Sequence, residues 1–206
     1  MSDSGELFDV LRERRSVRRF RPEPVDRGLV LSLVEAASLA PSSHNRQDGE
    51  FAIACGPAVV ARMAAIVRTK WESLAARRGG GGAVAEALAA SVGHFDWFGE
   101  APAVIAVSVK RPESFLVALA GERARAVSGA FASAAMAAQN LMLAAHAHGL
   151  GSCCLTGALI AEEELKELLG VGTRRELVCL IALGYPAERP SMPPRKPAAA
   201  IARFID

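Results

Sequence analysis

Apolar side chains recur every three or four positions over several stretches of the chain, a spacing that predicts helices. The first stretch is short and covers residues 7–11. The second begins after Asp26, a good N-cap residue, and ends at or before Ala40, because Pro41 cannot continue a helix. Further helices are predicted over residues 59–76, 125–148 and 161–169, the last ending at Gly170.

Continuous apolar runs between turn residues predict the strands. They lie at residues 51–55, 103–109 and 177–183, with a further short strand after a turn within residues 149–155. The run at 103–109 is almost wholly apolar, so we expect it inside a sheet that is covered on both faces. A polar loop at residues 42–50 precedes the first strand. Strands separated by helices indicate an α/β or an α+β fold.

The chain has 206 residues, enough for a sizeable core, and we predict one domain over residues 1–206. Four consecutive glycines at 79–82 disfavour a helix, so residues 79–98 are predicted to form a mobile lid or excursion. Residues 186–197 are rich in proline and basic residues, and an apolar end follows them. This pattern predicts an arm that docks on a second subunit.

The formal net charge of +2 gives the protein no global field that would attract nucleic acid or anionic lipid. We therefore expect no nucleic-acid partner and no membrane partner. The N-terminus lacks the basic and apolar regions of a secretory signal, which predicts a cytoplasmic protein. Polar residues interrupt the most apolar stretch, residues 126–150, so this stretch is expected to be a buried helix.

Four cysteines, Cys55, Cys153, Cys154 and Cys179, show no metal-binding spacing, and we expect free thiols and no metal site. Cys153 and Cys154 are adjacent in a predicted strand. No basic partner that would lower a thiol pKa is apparent in the sequence, and no redox role is assigned to them.

Arginine side chains are concentrated directly after the first helix. Arg14, Arg15 and Arg18, together with the hydroxyl of Ser16, place four donor groups within five residues. Planar guanidinium groups suit phosphate, so the cluster predicts an anionic ligand; a solvated basic helix end is the alternative. No glycine-rich nucleotide-binding motif follows a predicted strand. A bound phosphate would therefore have to be held by this cluster together with residues from elsewhere in the chain.

Four sequence blocks together resemble the nitroreductase-like flavin (FMN) enzymes. They are Arg14-Arg15-Ser16-Val17-Arg18-Arg19-Phe20; Ala40-Pro41-Ser42-Ser43-His44-Asn45-Arg46-Gln47; Gly149-Leu150-Gly151-Ser152-Cys153-Cys154-Leu155-Thr156-Gly157; and Leu183-Gly184-Tyr185-Pro186 with Pro194-Arg195-Lys196-Pro197. The resemblance extends from about residue 7 to residue 204. It implies an α+β fold with a central mixed, mainly antiparallel sheet flanked by helices, and a homodimer that exchanges a C-terminal arm.

The resemblance implies FMN as the cofactor and assigns residues to it. The implied cofactor-binding residues are Arg14, Arg15, Ser16, Arg18, Ser42, Ser43, Asn45, Leu155, Thr156, Gly157, Arg195 and Lys196. The first three hold the phosphate and the ribityl chain, with help from the basic pair in the tail. Arg18 lies near the N1 and O2 edge of the flavin ring, where a cation raises the reduction potential because negative charge develops at N1 on reduction.

The second and third blocks approach the flavin from other directions. By similarity, Ser42, Ser43 and Asn45 line the cofactor, often from the partner subunit; without the other blocks they would be an ordinary polar loop. The backbone N–H of Thr156 lies against N5, the atom that exchanges hydride. Gly157 leaves room for the ring, because a side chain there would crowd it.

Candidate substrate residues lie beside these blocks. His44 is a candidate proton donor, with an ordinary loop histidine as the alternative. Phe95 and Trp97 fall in a segment that covers the flavin in similar enzymes, although aromatic residues before a buried strand are often core. The chain also departs from the family: residues 47–49 read Gln-Asp-Gly in place of the usual Gln-Pro-Trp. We therefore expect different packing beneath the cofactor or at the dimer seam.

The resemblance implies a ping-pong oxidoreductase. NADPH or NADH gives hydride to flavin N5, and an electron-poor acceptor, a nitroaromatic or a quinone, then takes it. Two alternatives stay open: an FMN-dependent dehydrogenase or oxidase of a biosynthetic pathway, and a flavin-binding protein without turnover. Arg18, Thr156 and Gly157 argue against the last, because a pure binder needs no tuning at N1 or N5.

Overall fold

The computed structural model describes residues 4–77 and 96–205. The helices are α1 (Ser4–Glu13), α2 (Arg27–Ser38), α3 (Pro57–Arg77), α4 (Ser114–Ala120), α5 (Ala124–Ser128), α6 (Ala130–Ala147) and α7 (Glu162–Leu169). The strands are β1 (Glu50–Cys55), β2 (Ala103–Lys110), β3 (Gly151–Leu155) and β4 (Arg175–Gly184). Short 3-10 turns at Ser43–Asn45, Trp97–Glu100 and Gly157–Ala161 lie among the candidate site residues.

The four strands form an antiparallel sheet in the order β1-β2-β4-β3. Strand β2 is buried along its length except at Lys110, as its apolar run predicts. A parallel bridge between Ser16 and Ser152 adds the segment after α1 to the outer side of β3. The sheet is therefore mixed and mainly antiparallel, which confirms that part of the predicted fold class.

Helices cover both faces of the sheet, because alternate residues of a strand point to opposite faces. On one face, Ile105 of β2 packs in a core cluster with Leu141 of α6. On the other, Val104 packs in a second cluster with Met63 of α3 and Leu165 of α7. The predicted strands are confirmed, with ends that shift by at most two residues.

The helix predicted over residues 125–148 is wrong in one respect, since the structure divides it into α5 and α6 at Gly129. This glycine has a φ of +68°, and a Cβ built on it would lie 2.9 Å from the Cβ of Ser43. The break therefore lets the loop after α2 pack against the start of α6. The other helix predictions hold, and the carboxylate of Asp26 caps α2 by accepting a hydrogen bond from the N–H of Leu29 at 3.0 Å.

The segment predicted as a lid lies mostly outside the described residues. Of residues 79–98, the structure describes 96–98, and Trp97–Glu100 forms a 3-10 turn. None of the helices within the described ranges is both long and apolar enough to cross a membrane.

Candidate functional site

The arginine cluster lies in an extended segment, residues 14–21, that runs between β3 and the chain after β4. On one side the N–H of Val17 donates to the carbonyl of Ser152 at 3.0 Å. On the other side, the N–H of Arg21 donates to the carbonyl of Tyr185 at 2.8 Å. The N–H of Ala187 donates to the carbonyl of Arg19 at 2.9 Å. Backbone hydrogen bonds on both sides therefore hold the segment in place.

Side chains of this segment influence the pKa of Cys153 in β3. Burial raises the pKa of the Cys153 thiol, while the charges of Arg18 and Arg14 and a hydrogen bond with Ser16 oppose that shift. Ser16 and the charges of Arg14 and Arg18 therefore all influence one thiol. This juxtaposition supplies the basic neighbours of a cysteine that the sequence did not reveal.

The arginines line two different cavities. Arg14 and Arg15 line a cavity of about 380 Å³ with His146 and Ser152. Arg18 lines a second cavity of about 540 Å³, together with Arg19, Trp97 and small residues of α3. The structure therefore places the first two arginines and Arg18 against different cavities. The division of these residues between phosphate and ring, which the resemblance implies, stays a prediction.

The first cavity contains a buried hydroxyl that has no hydrogen-bond partner. Ser152 is 2% exposed, and its Oγ is unpaired among the residues that the structure describes. A buried polar atom without a partner is costly, and a ligand oxygen or amide would satisfy it. Arginine donors beside such a hydroxyl suit a phosphorylated, hydroxyl-bearing ligand, so the residues present fit FMN.

The loop after α2 is held in an unusual conformation at the N-terminus of α6. His44, Asn45 and Gln47 all have φ near +51°, in the left-handed region that non-glycine residues rarely adopt. The N–H of Ser43 donates to Oγ of Ser133 at 3.0 Å, and that hydroxyl donates to the carbonyl of Gly129 at 2.8 Å. Such strain persists only where surrounding contacts over-determine it, and it is common at functional sites.

A polar network occupies the place of the missing Pro-Trp pair. Asp48 forms ion pairs with Arg46 at 3.0 Å and with Lys110 at 3.6 Å. Its carbonyl accepts a hydrogen bond from Arg175 at 2.6 Å. Charges and hydrogen bonds therefore hold the end of this loop where family members use a rigid apolar turn.

The structure does not bring the loop and the arginine segment together within one chain. Ser133, which holds the loop, lies near the start of α6, whereas His146, which lines the arginine cavity, lies near its end. Thirteen residues of helix separate the two positions, about 20 Å at 1.5 Å per residue. One chain alone therefore places the first two sequence blocks at opposite ends of a helix.

The end of β3 presents the third block. Leu155 is buried, Thr156 is exposed, and Gly157 opens the 3-10 turn. Thr156 is therefore accessible to a ligand on this surface. Cys154, which precedes Leu155, is exposed. A hydrogen bond from the Cys179 thiol lowers the pKa of Cys154 to about 7, although partial desolvation of the sulfur acts in the opposite direction.

The candidate substrate residues are only partly placed. Trp97 lines the Arg18 cavity and stacks on Phe20 with ring centroids 6.5 Å apart. His44 is exposed, and its Nδ1 lies 3.2 Å from Oγ of Ser43. Phe95 lies outside the described residues.

Among the residues that the structure describes, no contact places the basic pair of the tail beside the arginine segment. Arg195 and Lys196 belong to a run, residues 191–205, in which every residue is exposed. Phe204 and Ile205 are 91% and 85% exposed, an unusual degree for large apolar side chains. The arm therefore exposes both basic and apolar groups on the surface of this chain.

Sequence reasoning missed three residues of this region. They are Ser152, whose hydroxyl has no partner within the described ranges, Ser133, which holds the loop, and Glu188, which accepts hydrogen bonds from the arginine segment. Ser152 lies in the third sequence block, and its signal is that it is a polar residue in an otherwise apolar strand. The other two depend on tertiary contacts between distant segments, which a sequence does not signal.

Comparisons with known proteins agree with this architecture. Residues 11–185 match the model of the Nitroreductase family. A protein of Thermus thermophilus named NADH dehydrogenase is 32% identical over 185 residues, with 85% of this chain and 84% of that protein covered. A BluB-like flavoprotein from Clostridium difficile is 25% identical, with a TM-score of 0.84 over 97% of this chain and 99% of that chain.

A further solved structure shows the same fold at lower identity. It is a nitroreductase with bound FMN from Bacteroides fragilis, 20% identical, with a TM-score of 0.73 over 98% of this chain and 99% of that chain. The predicted fold class is thereby confirmed, and the exchange of a C-terminal arm stays a prediction.

Proposed function

Because the chain belongs to the nitroreductase family, we propose that it is an FMN-dependent oxidoreductase that passes hydride from NADPH or NADH to an electron-poor acceptor of the nitroaromatic or quinone type. The observation that carries this proposal is the extended arginine segment beside β3. It combines guanidinium groups, an unpaired buried hydroxyl and a separate cationic cavity with an aromatic wall. A solvated basic turn would need none of these features.

The phosphate end of FMN would be held by Arg14, Arg15 and Ser16, with the hydroxyl of Ser152 available to the ribityl chain. Arg14 and Arg15 are half-buried, so their charges are less screened than those of surface residues. The Nη1 atom of Arg15 already donates to the carbonyls of Arg12 and Arg14, the latter at 2.8 Å, which fixes its direction. Arg14 is therefore the better candidate for direct phosphate contact.

When bound, FMN supplies N5, which accepts and gives hydride. The role of Arg18 would be to stabilise negative charge on the pyrimidine side of the ring. The backbone N–H of Thr156 would donate to the ring beside N5, and Gly157 would admit the ring to that surface. Leu155 is buried below them and fixes the end of the strand.

The acceptor would lie on the side where Trp97 borders the Arg18 cavity. A large aromatic wall suits planar acceptors, because offset stacking of rings is favourable. Phe95, two positions before Trp97 in the sequence, stays a candidate contact for the same acceptor. His44 would reach the same ligand from the loop of the partner subunit and deliver a proton to it.

We place the complete site between two copies of this chain. Ser42, Ser43 and Asn45 lie about 20 Å along α6 from the arginine cavity, a separation that an antiparallel second α6 would remove. The exposed arm would carry Arg195 and Lys196 to the phosphate of either copy. Exposed apolar residues of α1, Leu7 and Phe8, offer further surface for the dimer.

Anaerobic reduction tests the proposal. Purified protein loaded with FMN is mixed with NADPH or NADH, and the loss of flavin absorbance is followed before a panel of nitroaromatic and quinone acceptors is added. We expect one nicotinamide to bleach the flavin and an acceptor to restore the colour. If neither nicotinamide reduces the flavin, the reductase proposal fails, and reduction by another organic donor would favour the dehydrogenase direction.

A further inference from the structure

A carboxylate is bound directly to the backbone of the arginine segment. One oxygen of Glu188, Oε1, accepts hydrogen bonds from the N–H of Arg18 at 2.6 Å and from the N–H of Arg19 at 3.1 Å. Glu188 lies 170 positions further along the chain, beyond the end of β4, and is half-buried. The contact is therefore a tertiary anchor and not a local turn.

Two hydrogen bonds to one oxygen fix a local bend in the segment. In a regular strand, consecutive N–H groups point to opposite edges, so one acceptor cannot bind both without turning the chain. The backbone hydrogen bonds of Val17 and Arg21 hold the segment on either side of this point. Glu188 thus sets the direction in which the side chain of Arg18 leaves the backbone.

The same carboxylate brings negative charge into a cationic region. Glu188 lines the cavity of Arg14 and Arg15, and Arg18 carries the next positive charge along the segment. Arg14 and Arg15 are half-buried and Arg18 is exposed, so a carboxylate among them lowers the positive potential of the region, most where water screens it least. Glu188 therefore has two separable effects, one through its acceptor oxygen and one through its charge.

We propose that Glu188 is a positioning residue that orients Arg18 toward the flavin ring and, by its charge, keeps the reduction potential of the flavin below the value that the arginine cluster alone would give. The proposal rests on the proposed function, since it needs FMN beside Arg18. Its two effects have opposite signs. The acceptor oxygen makes Arg18 effective, whereas the carboxylate charge reduces the stabilisation of reduced flavin.

Two variants separate these effects. Glu188→Gln keeps an acceptor oxygen and removes the charge, so FMN binding should stay within about threefold of wild type while the midpoint potential rises. Glu188→Ala removes both, so the dissociation constant for FMN should increase about tenfold and the potential should lie below that of Glu188→Gln, because Arg18 is released. The measurements are flavin fluorescence titration and spectroelectrochemical titration.

Glu13 provides the matched control, because it lines the same cavity while the N–H groups of Arg18 and Arg19 are already bound by Glu188. Glu13→Gln and Glu13→Ala should therefore behave alike, both shifting the potential slightly upward. If Glu188→Gln and Glu188→Ala also behave alike, Glu188 has no anchoring role and the proposal is overturned.

A measurement without flavin keeps failure of this proposal distinct from failure of the proposed function. Hydrogen exchange of the Arg18 and Arg19 amides should be faster in Glu188→Ala than in Glu188→Gln, whether or not FMN binds. Equal exchange in both variants would contradict the anchor. Normal anchoring without FMN binding by the wild type would instead contradict the proposed function.

Discussion

The two ends of the chain contribute to the candidate site in opposite ways. Residues 14–21 are held by backbone hydrogen bonds to β3 on one side and to the chain after β4 on the other. The arm at 191–205 is exposed at every residue. The first segment is therefore the rigid half of the proposed site, whereas the arm would take its place only on a second copy of the chain. In the proposed site, a rigid half and an incomplete half thus come from opposite ends of the sequence.

Removing the arm tests the incomplete half and should have the largest effect. A chain ending at Arg189 keeps Glu188 and the arginine segment but loses Arg195, Lys196 and the apolar end. We expect a monomer whose dissociation constant for FMN is about a hundredfold higher, since interface contacts and two charged donors are lost together. Sedimentation velocity and flavin titration measure the two effects.

The double variant Arg195→Ala/Lys196→Ala is the control for truncation, because it removes charge and keeps the apolar end. It should remain dimeric and bind FMN about tenfold more weakly than wild type. A truncated chain that stays dimeric and keeps its flavin would show that the arm plays no part in the site.

Single arginine variants test the rigid half. Arg14→Ala should raise the dissociation constant for FMN about tenfold to a hundredfold, because a charge-assisted phosphate contact is lost. Arg18→Ala should instead lower the midpoint potential, with a smaller effect on binding. Arg19→Ala is the control, since Arg19 lines the same cavity as Arg18 from the next position. Equal, small effects from all three would return the cluster to a solvated basic turn.

A substitution at Gly129, where the helix breaks before α6, tests whether the loop after α2 is also a rigid part of the site. Gly129→Ala should destabilise the protein by about 1–3 kcal/mol, because it combines a left-handed φ with crowding against Ser43. Gly170→Ala is closely matched, with a φ of +67° and no atom of the described residues within 4 Å of the added Cβ. Thermal unfolding should show the smaller loss for Gly170→Ala, and only Gly129→Ala should weaken FMN binding.

Alkylation of the two adjacent cysteines of β3 is the prediction with the smallest expected effect on the protein. The relative rates at the two thiols report which of them the arginine segment covers. Cys153 is buried beside Ser16, whereas Cys154 is exposed and its pKa is lowered to about 7 by Cys179. The rate of alkylation at Cys154 should therefore rise as pH increases through about 7 and level off above it.

The variant Cys179→Ala provides the control, because it removes the hydrogen bond that favours the Cys154 thiolate. Alkylation of Cys154 at neutral pH should slow about tenfold, and the pH midpoint should move upward. Mass spectrometry after brief iodoacetamide treatment locates the modified residue. Faster alkylation at Cys153 than at Cys154 would contradict the described placement of the segment.

Most of the fold could be predicted because its signals are local. The apolar run of β2, the Asp26 cap of α2 and the glycine that ends α7 each act within a few residues. The break at Gly129 could not be predicted in this way. Its cause is the approach of Ser43, 86 positions earlier in the chain, and no property of the helix sequence records that contact.

The candidate site was predictable only where several of its residues are adjacent in the sequence. The arginine segment and the end of β3 stand as short motifs, and their relation to a known family gave them roles. Ser133 and Glu188 act through single hydrogen bonds to distant backbone atoms. Serine and glutamate are common in such positions for many reasons, so the residue types alone carried no signal.

The length of α6 has a consequence for how the protein holds its cofactor in dilute solution. When a ligand bridges residues from opposite ends of this helix in two chains, ligand binding and chain association become one linked equilibrium. Flavin content then depends on protein concentration as well as on free FMN. If the proposed dimer holds FMN between its chains, holoprotein diluted below the dissociation constant of the dimer would lose its yellow colour, and the amount of protein in a cell would set the fraction that is active.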